Sequence, residues 1–391
     1  MKTPRIENER AWAEIDLAAL RHNFHAIRKA LQPNTRVLAV LKANAYGHGA
    51  LEVAKELIPE GLDAIGVANS REAVALVEAG VRIPVVVLGS LMDSEFIEAI
   101  SRGVQFCVSS QSELEHAEAC AAMLGKRAYL HIMVDTGMGR LGVSHTQATK
   151  LIDATNCCEN VSLVGLATHF SSAADTDPAF SALQIARFTL VRLSSEAAGV
   201  SGLVTHAASH AALIRFPEAQ LDMVRPGLAL FGLQAEGLGE ARLDLKRVFS
   251  LHAKVLHVKV VEAGTPVSYS RLWTAQERTR IATVAIGYND GYRVGLTGKA
   301  EVIIGGKRCP VVGRVTMDYI MVDVGMDTPV ERGSICTLIG SQGGAEVRAE
   351  ELAKALGTVP YEIFCGVGSR VKRLALHAKS VEGGESLRLV A

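Results

Sequence analysis

A repeated alternation of two patterns runs through the first 230 residues and limits the folds that this chain can adopt. Eight short apolar runs, rich in β-branched residues, alternate with amphipathic stretches whose apolar positions recur at i, i+3, i+4 and i+7. The first of these runs spans 36–42 and the last spans 223–230. Parallel strands joined by helices form α/β folds, and eight such units close into a barrel. We therefore predict the α/β class with a (β/α)8 barrel.

After Gly232 the pattern changes to a series of strand-like runs. Glycine pairs at 305–306 and 343–344 mark turns between them, and one helical pattern at 348–356 interrupts the series. We predict the barrel over residues 1–242 and a mostly-β C-terminal domain over residues 243–391, with a Gly- and Glu-rich linker at 234–241. A short strand at 11–15 is expected before the first helix, outside the eight barrel strands.

The charges of the chain are balanced, which argues against several classes of partner. The 41 Lys and Arg residues equal the 41 Asp and Glu residues, so no basic surface for nucleic acid or an anionic membrane is expected. No run reaches the ~18 consecutive apolar residues of a membrane span, and the N-terminal residues lack the apolar segment of a signal peptide. Seven cysteines without a CxxC pair favour a reduced protein. We expect a cytoplasmic enzyme.

Lys42 stands at the exit of the first predicted strand and opens the segment Lys-Ala-Asn-Ala-Tyr-Gly-His-Gly. Burying an ammonium group is costly unless the group is paired or neutralised. A lysine in such a position is suited to lose its proton and to form a Schiff base with an aldehyde. The glycines on both sides of His48 allow the backbone to approach a ligand closely. The alternative interpretation is a solvated lysine at a strand end.

Other chemically capable side chains also follow predicted strands, where the catalytic groups of (β/α)8 barrels lie. Arg140 lies in a glycine-rich loop after the fifth strand, and His169 follows the sixth. The ends of strands seven and eight, which often bind phosphate through backbone N–H groups, carry Ser209 and the pair Gly227 and Leu228.

Several of these segments together resemble the alanine racemase family, whose members bind pyridoxal phosphate in a barrel. The octapeptide at 42–49 is similar to the family's cofactor-lysine signature, and Asp-Thr-Gly-Met-Gly-Arg at 135–140 is similar to its arginine loop. Further similar segments are Val-Arg-Pro-Gly at 224–227, Gly-Tyr-Asn-Asp-Gly-Tyr at 287–292 and Gly-Arg-Val-Thr-Met-Asp at 313–318. The resemblance extends over nearly the whole chain, in the family's order.

This resemblance implies a role for each matching residue. Pyridoxal 5'-phosphate would be bound covalently by Lys42 and contacted by Tyr46, His169, Ser209, His210, Arg225, Gly227, Leu228 and Tyr361. The substrate would be contacted by Arg140, Met317 and Asp318. Arg225 would donate a hydrogen bond to the pyridine nitrogen and leave it unprotonated, which suppresses transamination. A pairing of Arg225 with Asp222 is the structural alternative.

Racemisation requires a base on each face of the substrate Cα. By the resemblance, Lys42 would act on the D side and Tyr269, in the segment Pro-Val-Ser-Tyr-Ser, on the L side. In the family the second-domain groups reach the barrel of the partner subunit, which implies a homodimer with shared active sites. The expected activity is interconversion of L- and D-alanine, which supplies D-alanine for peptidoglycan.

Two positions differ from the usual family pattern. The family usually has Asn-Ser after strand seven, where this chain has Ser209 and His210. Either Ser209 or a protonated His210 contacts the phosphate, or the cofactor shifts slightly. The family often has a carbamylated Lys that orients the loop arginine, where this chain has Met133. Arg140 must therefore be oriented otherwise, and a broad-specificity amino-acid racemase remains open.

Three other functions remain open from the sequence. A decarboxylase of the same fold would need a nucleophilic Cys and an acidic partner for the pyridine nitrogen, where this chain has Arg225. A non-catalytic cofactor-binding protein would not need the second domain with Tyr269. A metal hydrolase could use His206 and His210, but the glutamate of an HExxH motif is missing, and we predict no metal site.

Overall fold

The computed structural model describes residues 8–234, 242–377 and 386–389. All but the first residue of the predicted linker lies outside these ranges. The chain forms two compact units. The barrel unit comprises Leu20–Ala45 and the described residues of Val53–Lys246, and the β unit comprises Tyr46–Glu52 with the described residues before Leu20 and after Lys246.

Helices and strands alternate in the N-terminal part of the chain. In order, they are β1 (Ala11–Asp16), α1 (Leu17–Lys29), β2 (Arg36–Val40), α2 (Lys42–Gly47), α3 (Ala50–Leu57), β3 (Ala64–Val67), α4 (Ser70–Glu78), β4 (Val85–Val87), α5 (Asp93–Ser101), β5 (Gln105–Val108), α6 (Gln111–Leu124), β6 (Ala128–Asp135), β7 (Val143–Ser144), α7 (Ala148–Asn156), β8 (Val161–Ala167), α8 (Ala179–Ala197), β9 (Val204–Ser209), α9 (His210–Arg215) and β10 (Met223–Arg225).

Strands dominate the C-terminal part. In order, the elements are β11 (Phe249–Val261), β12 (Pro266–Val267), β13 (Trp273–Thr274), β14 (Thr279–Val284), β15 (Glu301–Ile304), β16 (Lys307–Val312), β17 (Ile320–Asp323), β18 (Ile335–Gln342), β19 (Ala345–Val347), α10 (Ala349–Leu356), α11 (Pro360–Cys365), β20 (Lys372–His377) and β21 (Ser386–Leu389).

Eight parallel strands close into a barrel in the barrel unit. Hydrogen-bonded neighbours follow the order β2, β3, β4, β5, β6, β8, β9 and β10, and β10 pairs with β2 again. The buried residues of these strands are mostly Val, Ile, Leu and Ala, as expected for parallel strands that are covered on both faces. The predicted (β/α)8 barrel is confirmed.

Side-chain caps explain where two barrel helices begin. The Asn69 side chain accepts a 3.0 Å hydrogen bond from the Glu72 N–H before α4, and Ser110 accepts one of 3.2 Å from Glu113 before α6. Both caps follow a barrel strand within a few residues, so they determine how the chain turns at the C-terminal face of the barrel. That face carries the candidate residues of this unit.

A ten-stranded sheet forms the body of the β unit. Its order is β19-β18-β15-β16-β17-β14-β11-β1-β20-β21, and all neighbours are antiparallel except β1 and β20. The strand predicted at 11–15 is therefore confirmed, and it belongs to this sheet, where Ala13 pairs with Leu251. The mostly-β character predicted for the C-terminal domain is also confirmed.

Several predicted boundaries were wrong. The strand predicted at 223–230 ends at Arg225, because Pro226 has no N–H to donate and a 3₁₀ turn, Leu228–Phe231, follows. Helices α3 and α11 and strands β20 and β21 were not predicted. Within the described ranges, no helix is both long enough and apolar enough to cross a membrane.

Candidate active site

Lys42 begins a left-handed helical turn directly after β2. The next four residues, 43–46, all have φ between 52° and 54°, which is the left-handed region. Each non-glycine residue in this conformation costs roughly 1–2 kcal/mol. Such strain persists only where surrounding structure holds it, and it is common at functional sites. The Lys42 side chain is exposed, so the burial that its position after an apolar strand suggested is not observed.

Glu72 of α4 holds Ala43, the second residue of this turn. One carboxylate oxygen accepts a 2.7 Å hydrogen bond from the Ala43 N–H, and the other accepts one of 2.9 Å from the Ala68 N–H at the end of β3. Glu72 thus joins the ends of two neighbouring strands and fixes where the Lys42 backbone lies.

Arg225, the last residue of β10, is buried and held by hydrogen bonds on both terminal nitrogens. Nη1 donates to the carbonyl oxygen and the Nδ1 of His206, and Nη2 donates to the carbonyl oxygens of Thr168 and Ala207. Nη2 also lies 3.3 Å from the Nδ1 of His169. Burial lowers the pKa of Arg225 to about 10, so the guanidinium stays charged at neutral pH.

The alternative in which Asp222 pairs with Arg225 is not observed. The Asp222 carboxylate accepts from the N–H and the hydroxyl of Thr205. Among the described residues, Arg225 forms no ion pair, and its Nε makes no hydrogen bond. The Nε–H of this buried cation is therefore available to donate a hydrogen bond to a bound molecule.

His169 lies just beyond β8 and close to three cations. Burial and the positive charges of Arg225, Arg140 and Lys42 lower its pKa to about 3, so it is neutral at physiological pH. The four predicted residues Lys42, Arg140, His169 and Arg225 lie at or after the C-terminal ends of β2, β6, β8 and β10, which share one face of the barrel.

The loop that carries Arg140 is held from two sides. The Asp135 carboxylate accepts hydrogen bonds from the N–H groups of Gly137 and Gly139, and these bonds help to lower its pKa despite partial burial. On the other side, Arg187 of α8 donates a 2.7 Å hydrogen bond to the carbonyl oxygen of Thr136.

Met133 is uncharged, so it cannot orient Arg140 as a carbamylated lysine at this position would. It packs in an apolar cluster with Cys107 and Ala167, with Leu88 against it. The orientation of the Arg140 loop therefore comes from Asp135 and α8.

Ser209 and His210 lie at the junction of β9 and α9, and Ser209 pairs in register with Arg225. His210 is buried, and its Nε2 has no hydrogen-bond partner among the described residues. Burial lowers the pKa of His210 to about 4, so it is neutral rather than protonated. Gly227 and Leu228 lie at the start of the 3₁₀ turn that follows β10.

Tyr269 lies in a strained loop of the β unit. Its neighbours Ser268, Ser270 and Arg271 have φ of 65°, 60° and 53°. The Ser268 hydroxyl donates a 2.7 Å hydrogen bond to the carbonyl oxygen of Arg314, which ties this loop to the 313–318 segment. The Tyr269 side chain is 68% exposed, far more than is usual for an aromatic residue.

Met317 and Asp318 lie next to the 287–292 segment of the same unit. The carbonyl oxygen of Met317 accepts from the Asn289 N–H at 3.1 Å, and the Met317 side chain is exposed. The Asp318 carboxylate forms an ion pair of 2.9 Å with Arg370.

Tyr46 and Tyr361, both predicted to contact the cofactor, also lie in the β unit. Their rings meet edge to face with centroids 5.4 Å apart. The structure therefore brings these two residues together, although they are separated by more than three hundred positions in the sequence.

Several residues that position this site were not predicted from the sequence. They include Glu72, Arg187 and His131. Gln184 of α8 is another, because its side-chain NH2 group donates a 3.2 Å hydrogen bond to the Thr136 hydroxyl in the Arg140 loop. His131 carried a signal, since it is a polar residue within an otherwise apolar predicted strand. The others lie on amphipathic helices, where polar residues are common and therefore give no sign of a functional role.

A metal site finds no support in the described ranges. They contain no group of three or more His, Cys, Asp or Glu residues that could hold a metal ion. Both ring nitrogens of His206 are engaged, Nδ1 with Arg225 and Nε2 with His131, so His206 is not available as a ligand.

Two family profiles cover most of the chain. The profile described as alanine racemase, N-terminal domain, matches residues 15–235, and the profile for the C-terminal domain matches residues 248–375. The alanine racemase of Desulforamulus reducens is 40% identical over 369 residues, which cover 94% of this chain and 99% of that protein.

Solved structures agree with these matches. The alanine racemase of Clostridium difficile 630 superposes with a TM-score of 0.89 at 34% identity, covering 94% of this chain and 95% of that one. The alanine racemase of Bartonella henselae, solved with covalently bound pyridoxal phosphate, has a TM-score of 0.82 at 29% identity, covering 93% and 99%. On these matches over nearly its whole length, the chain belongs to the alanine racemase family.

Proposed function

We propose that this protein interconverts L- and D-alanine with pyridoxal 5'-phosphate as its cofactor. The observation that carries the proposal is that Lys42, Arg140, His169 and Arg225 lie at or after the C-terminal ends of barrel strands, with Arg225 Nη2 3.3 Å from the Nδ1 of His169. Their types and order match a family whose Bartonella henselae member is solved with covalently bound pyridoxal phosphate.

The residues present fit this cofactor. Lys42 offers an exposed primary amine for the covalent bond, and Arg225 has an Nε–H without a partner among the described residues for the ring nitrogen. The buried Nε2 of His210, also without a partner in the described part of the chain, suits the phosphate. The His210 ring would contribute a hydrogen bond to the phosphate from this nitrogen.

The remaining predicted residues would complete this binding. Ser209 and the backbone N–H groups of Gly227 and Leu228 follow the strands that often bind phosphate in barrels. Tyr46 and Tyr361 would contribute further contacts to the cofactor. Arg140, Met317 and Asp318 would contact the substrate, and the ion pair with Arg370 would hold the Asp318 carboxylate in place.

When bound, pyridoxal phosphate withdraws electrons from the substrate and makes its Cα–H acidic. The chain's own residues then move the proton. The Lys42 amine would exchange it on the D side of Cα and the Tyr269 phenol on the L side. Arg225 stays charged, so it would donate a hydrogen bond and no proton to the ring nitrogen.

We further propose a homodimer in which each Tyr269 serves the barrel of its partner. Exposed side chains of the β unit support this proposal. They are Tyr269, Tyr288, Met317 and Tyr361, and Tyr269 is held in a strained loop. Tyr and Met side chains are enriched in the buried cores of protein–protein interfaces, so these residues suit a contact with a second copy of the chain.

Substitution of Lys42 tests the covalent role. Lys42→Ala should abolish both racemisation and the visible absorbance of the bound cofactor, whereas Lys29→Ala, an exposed lysine of α1, should change neither. A Lys42→Ala protein that keeps its colour after dialysis would show that another residue binds the cofactor.

Mixing of two inactive variants tests the shared site. Lys42→Ala and Tyr269→Phe, unfolded and refolded together, should regain about a quarter of the unmodified activity, because half of the dimers then contain one intact site of two. No recovery from the mixture, with each variant dimeric and folded, would place both residues in the same protomer's site.

The product would supply D-alanine for peptidoglycan. A broad-specificity racemase is the second candidate, and it is favoured by Met133, since the Arg140 loop is oriented without a charged residue at that position. A panel of L-amino acids, with the D-enantiomer of each measured, separates the two. Turnover of alanine alone supports the first function, and comparable turnover of larger or basic amino acids supports the second.

A further inference from the structure

A line of polar side chains crosses the interior of the barrel from Arg225, and all of its members are buried except the partly buried Gln105. Its Nη1 lies 2.8 Å from the Nδ1 of His206, the Nε2 of His206 lies 3.0 Å from the Nδ1 of His131, and the Nε2 of His131 lies 3.0 Å from the Oε1 of Gln105. Arg225 is the last residue of β10 and Gln105 is the first residue of β5. In a parallel barrel these ends lie at opposite faces, so the line runs through the core.

The direction of every hydrogen bond in this line follows from Arg225. A guanidinium can only donate, so the Nδ1 of His206 must accept and the His206 proton lies on Nε2. That proton is donated to the Nδ1 of His131, whose own proton therefore also lies on Nε2 and is donated to Gln105. The same order requires the amide oxygen of Gln105, rather than its NH2 group, to face His131.

Both histidines must be neutral for this order to exist. A second proton on either ring would place an N–H against another donor and a positive charge near Arg225. Their pKa values agree, since burial and the charge of Arg225 lower the pKa of His131 to about 4 and that of His206 well below its ordinary value.

A glycine in β8 provides the space that the His131 ring occupies. A Cβ on Gly165 of β8 would lie 2.3 Å from the Nδ1 of His131, so only glycine allows His131 to occupy its position. Buried polar networks of this kind stabilise a single arrangement when every member is satisfied.

We propose that His131 and Gln105 are positioning residues for Arg225, and that with His206 they form a line of hydrogen bonds of fixed proton order that keeps the Arg225 Nε–H directed away from the line. This inference rests on the proposed function, in which that N–H meets the ring nitrogen of the cofactor. His131 and Gln105 act through His206 and Arg225.

The proton order is measured by ¹⁵N NMR on the cofactor-bound protein labelled at histidine, with assignment by single His substitutions. At pH 7 both His131 and His206 are expected to be neutral with the proton on Nε2. A proton on Nδ1 of either ring, or a cationic ring, would overturn the proposal.

The positioning role is measured with Gln105→Met, which keeps the length of the side chain and removes the acceptor. We expect the His206 signals to shift although His206 does not touch Gln105, and kcat to fall by about 10- to 100-fold with little change in KM. The matched control is Gln111→Met, an exposed glutamine on α6, which should change neither.

Unmoved His206 signals with an unchanged kcat in Gln105→Met would overturn the positioning role. If the unmodified protein does not racemise alanine, the proposed function fails instead, and the NMR measurement still decides the proton order.

Discussion

The Glu72 carboxylate accepts a 2.7 Å hydrogen bond from the backbone N–H of Ala43, the residue that follows Lys42. Its other oxygen accepts from the Ala68 N–H at 2.9 Å. One side chain of α4 therefore connects the left-handed turn to the end of β3. Because the turn is strained, its geometry depends on such contacts from neighbouring elements.

Removal of this carboxylate should loosen the turn. Glu72→Ala leaves two backbone N–H groups without a charged acceptor and should lower the free energy of unfolding by about 2 kcal/mol. Urea denaturation measures the loss, and kcat for alanine should fall as well. Glu78→Ala on the same helix removes only a surface ion pair with Arg102 and should have little effect. Equal losses in the two variants would contradict the role of Glu72.

The strain of the turn can be relieved by glycine. Ala43 is exposed with φ of 53°, so Ala43→Gly should raise the free energy of unfolding by about 1 kcal/mol. Gly47→Ala should do the opposite, because its φ is 82° and its Cβ would lie 2.5 Å from the carbonyl oxygen of Phe364. Thermal midpoints of the two variants should shift in opposite directions. A destabilised Ala43→Gly variant would show that the turn stores no strain at this residue.

Substitution of Arg187, which lies on α8, should weaken substrate binding. Its hydrogen bond to the Thr136 carbonyl oxygen holds the loop that carries Arg140. Arg187→Met should therefore lower kcat/KM for alanine by about tenfold, mainly through KM. Arg192→Met on the same helix removes only a surface pair with Glu196 and is the control. An unchanged KM in Arg187→Met would mean that Asp135 alone orients the loop.

Acid should destabilise this protein through its buried histidines. Burial lowers the pKa of His210 from 6.5 to about 4, so the unfolded chain takes up a proton there before the folded protein does. The stability that this histidine contributes is fully present above pH 6.5 and is lost as the pH falls from 6.5 toward 4.

His210→Asn should reduce the dependence of the free energy of unfolding on pH by about 1.4 kcal/mol per pH unit in this range. Urea midpoints between pH 7 and pH 5 measure it, and His25→Asn, an exposed histidine of α1, is the control. The same pH dependence in His210→Asn and the unmodified protein would mean that His210 is protonated when folded.

The repeated strand and helix patterns were sufficient to predict the barrel, because each pattern reflects which side of a short segment faces the core. The positions of Lys42 and His169 near strand ends followed from the same patterns, since strand ends share one face of a barrel. Arg225 was predicted inside the eighth strand, whereas it is the last residue of that strand. The end of β10 was misplaced, because an apolar run continues after Arg225 although Pro226 ends the hydrogen bonding.

The amino-acid sequence by itself determined the barrel, the β-rich second part and the set of reactive side chains, because these depend on local periodicity and on short segments. Only the tertiary structure decided which residues hold the reactive ones. Glu72 contacts Ala43, Gln105 contacts His131, and His131 contacts His206, although the partners are 29, 26 and 75 positions apart in the chain. Contacts between distant residues leave no periodic pattern in a single sequence, so the strained turn at Lys42 and the proton order behind Arg225 became visible only in the fold.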